Sequence, residues 1–146
     1  MIVHRFMCNL EYQRLMKGKL MKNTVVHAQL GSKSESVGFC FFTEAPEVAI
    51  HWLSFNVTTD WCVTFDIPDQ LLTKSRAHYR DPEHDSFEHP ASIWRTEWCL
   101  QEYSLRTVRV IEATDKYANY AENMVNQIIK EVPGIGLLLL AAMSQK

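Results

Sequence analysis

Residues Trp61 to Ile67 alternate strictly: Trp61, Val63, Phe65 and Ile67 fall on one side, and Cys62, Thr64 and Asp66 on the other. Period-two alternation fits a β-strand with one face turned to a core. Pro68 then ends the run, because proline cannot donate to a ladder. A single strand leaves its backbone groups unsatisfied, so the chain must supply partners. Ile2 to Phe6, Val37 to Phe42, Ile93 to Leu100 and Thr107 to Ala113 are β-prone enough to serve, the last two as a pair.

Helical spacing appears between these runs. Tyr12, Leu15 and Met16 give a helix over Glu11 to Lys17, with Asn9 as N-cap and Gly18 as its stop. A second helix runs from Glu44 to Leu53. Pro46 and Glu47 sit in its first turn, and Ala49, Trp52 and Leu53 form its buried stripe. Gln70 to Leu72 make a short helical turn. Tyr120, Met124 and Ile128 stand in an i, i+4 row within a helix over Tyr117 to Val132, broken by Pro133-Gly134. Leu30 to Ser36 read as a loop, and Thr73 to Pro90 as a long charged one. Strands and helices without regular alternation predict an α+β fold: one domain with a split antiparallel or mixed sheet and flanking helices. Residues 1–116 form the domain, and 117–146 a C-terminal helix packed on it or on a partner, where it offers a homodimer surface.

The bulk numbers exclude several classes. With 146 residues, 47% hydrophobic and 22% charged, the chain suffices for one core. A net charge of -2 gives no general case for nucleic acid or anionic membrane, although Arg76, Arg80 and Arg95 make a local basic strip. Cys8, Cys40, Cys62 and Cys99 form no Cys-x-x-Cys pair and read as reduced thiols. No signal-like start is visible, so a cytoplasmic location is expected. The apolar run from Gly134 to Met143 is too short for a membrane span. His78, His84 and His89, with Asp81 and Asp85, match no zinc spacing, so no metal site is expected.

Three segments place polar residues inside apolar, β-prone runs: Val3-His4-Arg5-Phe6, Gly38-Phe39-Cys40-Phe41-Phe42-Thr43 and Trp94-Arg95-Thr96-Glu97-Trp98. A strand buries half its side chains, so such residues face either water or a site. In this order the segments, over roughly Ile2 to Ile111, resemble the ADP-ribosyltransferase superfamily, which includes poly-ADP-ribose polymerase-like and bacterial toxin-like members. That family has a first strand with a His or Arg, a second with a Gly-apolar-Tyr or Ser-Thr-Ser-like element leading into a helix, and a later strand with a catalytic Glu. Cys40 stands where one subclass has tyrosine, and Thr43 alone represents the Ser-Thr-Ser element. Arg95 occupies the position, two before Glu97, where arginine- or asparagine-modifying toxins carry Glu or Gln.

The resemblance implies an NAD-dependent mono-ADP-ribosyltransferase, a glycosyltransferase-class enzyme acting on a protein or nucleic-acid acceptor. Small members of this kind occur in bacteria and phages as toxins or conflict effectors. It assigns Glu97 as the catalytic carboxylate, stabilising the positive charge that develops on the ribose. His4 and Arg5 would hold the NAD ribose, Gly38, Phe42 and Thr43 would line the nicotinamide pocket, and Arg80 would meet the pyrophosphate. Phe42, Trp61 or Tyr79 would stack on the nicotinamide. Two other readings fit the same residues: a non-enzymatic binding or inhibitor protein on this scaffold, and a different hydrolase using His4 with Glu97.

Overall fold

The computed structural model describes residues 1–22, 39–54, 57–74, 96–132, 134 and 142. Eight strands and three helices appear among them: β1 (Ile2–Met7), α1 (Asn9–Met16), β2 (Met21–Lys22), β3 (Cys40–Thr43), α2 (Pro46–Leu53), β4 (Trp61–Asp66), β5 (Thr73–Lys74), β6 (Glu97–Leu100), β7 (Glu102–Tyr103), β8 (Arg109–Thr114) and α3 (Tyr120–Glu131). A single 3₁₀ turn, Asp69–Leu71, follows β4. Residues 23–38, 75–95 and most of 133–146 lie outside the described set. The expected loop at 30–36, residues 75–90 of the loop expected at 73–90 and most of the apolar C-terminal run fall there. Thr73 and Lys74, expected in that loop, instead form β5 on the edge of the sheet.

Six strands form one antiparallel sheet in the order β5-β6-β3-β1-β4-β8, and β2 pairs with β7 as a two-stranded ribbon. The protein is therefore a single α+β domain with a mainly antiparallel sheet. β1 is central. It pairs along its whole length with β4, from Ile2 against Asp66 to Met7 against Trp61, and through His4 with Thr43 of β3. β8 pairs with β4, not with β6 as the sequence suggests. A one-residue register shift between Thr64 and Phe65 marks a bulge in that pairing.

Both faces of the sheet are covered, by different things. On the first face Val3, Met7, Cys40, Phe42, Val63, Phe65, Ile67 and Leu100 form a buried cluster with Leu15 of α1, Met21 of β2 and Tyr103 of β7. Phe42, Phe65 and Tyr103 meet edge to face, with ring centroids 5.3 to 5.5 Å apart. On the second face a smaller cluster joins Phe6 and Cys62 to Ala49 and Ile50 of α2, with Leu53, Tyr117 and Tyr120 partly buried against it. Ala49 and Leu53 therefore belong to the inward stripe as expected, and Ile50 joins them; the side chain of Trp52 lies outside the described set.

Local chemistry explains the helix ends. Cys8, not Asn9, caps α1: its Sγ accepts from the Glu11 N–H at 3.4 Å. Asn9 instead ties α1 to β4, its N–H donating to Asp60 and its side-chain oxygen accepting from Trp61 Nε1 at 3.1 Å. Gly18 follows α1 at φ +80°, the left-handed conformation that suits glycine. Pro46 opens α2, where its missing N–H costs nothing.

Candidate functional site

Directly opposed residues of an antiparallel pair point to the same face. Glu97 opposes Thr43, Thr43 opposes His4, His4 opposes Thr64, and Thr64 opposes Glu112. The register therefore lines up five polar residues, Glu97, Thr43, His4, Thr64 and Glu112, in one row across β6, β3, β1, β4 and β8. Adjacent members are one strand spacing apart, about 4.8 Å. His4 and Glu97 are separated by two such gaps, with Thr43 between them.

The row lies on the second face, at a boundary. On one side Phe6 and Cys62 are covered by α2 and by Tyr117 and Tyr120. On the other side Ile2 is exposed and Asp66 half-buried. Thr43, Thr64 and Glu97 are buried, and His4 is half-buried. Buried polar groups collected in one row beside an apolar cluster are desolvated groups that a site could use.

Each central member is held locally. His4 Nδ1 and Thr64 Oγ1 are 2.8 Å apart. Burial pulls the His4 imidazole below its ordinary pKa, so the ring is neutral at pH 7. Glu47 and Glu112 oppose that shift and Lys116 reinforces it. Thr43 Oγ1 accepts from the Ala45 N–H at 3.0 Å, making the turn that carries β3 into α2. Accepting leaves the hydroxyl its own proton to donate. The Glu44 N–H donates to the Thr96 carbonyl at 2.8 Å, fastening that turn to β6 beside Glu97. Cys99, on the same face as Glu97, has its thiol pushed up to about 12 by burial and then by the Glu97 charge.

The far side of the covered half is fastened too. Thr59 Oγ1 donates to the Tyr117 carbonyl at 2.9 Å, and the Tyr120 hydroxyl meets His51 Nδ1 at 2.8 Å. These bonds hold the 115–120 segment, with Lys116, against α2 next to the row.

Arg5 and Phe42 are placed elsewhere, as the alternation requires. Arg5 follows His4 and Phe42 precedes Thr43, so each points to the first face. Arg5 Nε donates to Glu11 Oε1 at 2.8 Å and Nη1 to the Phe41 carbonyl at 3.0 Å, with the guanidinium 5.8 Å from the Phe42 ring centroid. Burial disfavours its charge, but Glu11, Tyr103 and Cys40 together more than offset this, and the guanidinium stays protonated. Arg5 ties β1 to α1 and β3, and Phe42 is core. Trp61, offered for stacking, is already stacked on Tyr12 at 4.4 Å. Gly38, Tyr79, Arg80, Trp94 and Arg95 lie outside the described residues.

Thr64 and Glu112 are the members that the sequence reading missed, although the alternation at 61–67 already sets Thr64 apart from the apolar face. Among the described residues no group of three or more His, Cys, Asp or Glu is arranged to hold a metal, and no helix is long and apolar enough to cross a membrane. A shallow open groove of about 360 Å³, lined in part by Met1, Asp66, Arg106 and Arg109, lies at the start of β1, away from His4 and Glu97. Comparison with protein-family models, curated proteins and solved structures finds no match.

Proposed function

We propose that the chain is an NAD-dependent mono-ADP-ribosyltransferase acting on a protein or nucleic-acid acceptor. The observation that carries this reading is the row: His4, Thr43 and Glu97, drawn from three separated segments, share one face of three adjacent strands.

The chemistry of the row suits the nicotinamide riboside half of NAD. A neutral His4 can exchange hydrogen bonds with ribose hydroxyls, and Thr43 can donate to the carboxamide oxygen. In the reaction the glycosidic C–N bond breaks and its electron pair leaves with nicotinamide, which becomes neutral. Positive charge builds on the ribose C1′. A buried carboxylate at Glu97 stabilises that charge in a setting where water screens it little. The acceptor nucleophile then bonds to C1′ and gives up its proton. The pyrophosphate needs cations: among the described residues Lys116 is close enough for His4 to feel its charge, and Arg80 is assigned to the same task.

Adenylate-labelled NAD, incubated with the protein and a cell extract, tests the reading. Label should pass to an acceptor or appear as free ADP-ribose with release of nicotinamide, and Glu97→Gln should slow this by about 100-fold or more. Intact turnover in Glu97→Gln, or no turnover by the folded wild type, contradicts it.

A further inference from the structure

We infer that Thr64 is a positioning residue for His4, fixing the imidazole so that Nε2 is the atom presented to a ligand. The inference deepens the transferase reading but rests on geometry that stands without it. Imidazole has two polar ring atoms. Nδ1 is engaged by Thr64 Oγ1 at 2.8 Å, so Nε2 is the one left to reach a ribose hydroxyl.

Thr64 is suited to this. It opposes His4 directly in the register, so both Cβ atoms rise from the same face about one strand spacing apart. A β-branched side chain on a strand has a restricted χ1, so the hydroxyl is pre-aimed. Thr64 is buried, with 7% of its surface exposed, which shields the bond from competition by water. Phe65 beside it is fully buried on the first face, so β4 cannot turn Thr64 away without unseating the core. The ring is also neutral, so Nε2 accepts when Nδ1 carries the proton and donates when it does not; the Thr64 hydroxyl, donor and acceptor both, holds the ring in either form.

The test compares the wild type with Thr64→Val and Thr64→Ser. Valine keeps the shape and removes the hydroxyl; serine keeps the hydroxyl. The first readout is the ¹⁵N spectrum of the His4 ring, without any ligand. His4 Nδ1 shifts that agree between the wild type and Thr64→Ser, and a displaced Nδ1 shift in Thr64→Val, where the hydrogen bond is gone, are expected. His4 nitrogen shifts that are the same in wild type and Thr64→Val overturn the inference. The second readout is calorimetric titration with NAD. Thr64→Val should weaken binding by up to about tenfold, with Thr64→Ser close to wild type; equal affinity in Thr64→Val and wild type also overturns it. Wild-type protein that binds no NAD sinks the transferase reading alone, and the ring spectrum still decides the role of Thr64. A melting curve for each variant separates lost positioning from lost folding: a Thr64→Val protein that melts with the wild type yet shows a displaced Nδ1 shift supports the inference.

Discussion

Along β1, Val3 and Met7 point to one side of the sheet and His4 and Phe6 to the other, and the two sides have different uses. The first face is closed by α1 and the β2–β7 ribbon, and every strand from β6 to β4 contributes apolar side chains to it. A charged residue set into it, Arg5, is paired with Glu11 inside the structure. On the second face, among the described residues, α2 and the 115–120 segment pack on Phe6 and Cys62, and the polar row runs beside that cluster. Five strands thus spend one set of side chains on stability and the alternate set on a candidate site. The rigidity of the first face is what can hold the row in register on the second.

Substitutions on the two faces should therefore separate stability from binding. The largest effect is expected from Phe42→Ala, which removes a ring packed against Phe65 and Tyr103. It should cost about 3–5 kcal/mol in urea unfolding. Arg5→Met comes next. It leaves Glu11 without its partner, and because both side chains are about a fifth exposed the cost should fall near the low end for a buried pair, about 3 kcal/mol. NAD affinity per folded molecule should not change. A loss of affinity at unchanged stability would move Arg5 into the site and break the comparison.

Thr43→Val should show the opposite balance. The lost bond to the Ala45 N–H costs about 1 kcal/mol of stability, while NAD binding, read by calorimetry, weakens as well. The smallest effect is a pH dependence. Burial holds His4 below its ordinary value of 6.5 in the folded protein, so the unfolded chain takes up the proton first as the pH falls. Stability from this group is complete above 6.5 and declines below it, toward the folded value. Replacing His4 with Gln should flatten that decline between about pH 7.5 and about pH 5.5 in urea midpoints. An unaltered slope would mean that His4 is as solvated folded as unfolded.

Much of this division was legible in the chain before any coordinates. Strict alternation at Trp61 to Ile67 identifies the strand and both of its faces, because the period of two is a local property. The same rule implies that Arg5 cannot share a face with His4, nor Phe42 with Thr43, so grouping all four in one site overlooks a constraint that adjacent residues carry. The strand order was not legible. β1 lies between β3 and β4, and β8 joins β4 across a register shift, because pairing partners are chosen by packing over long sequence separations. Local caps also misled: Cys8 and Asn9 are both able to accept, and the contact with Trp61 and Asp60 draws Asn9 away from the helix end.

The most direct test of the two-face division is a side-chain NMR titration with NAD, read at methyl groups on opposite faces of the same strands. Thr43 and Thr64 report on the row, and Val3 and Val63 on the closed core, together with the His4 ring nitrogens. Shifts confined to Thr43, Thr64 and His4, with Val3 and Val63 still, are the predicted result. Shifts centred on Val3 and Val63, or none at any of these positions up to saturating NAD, would contradict the account.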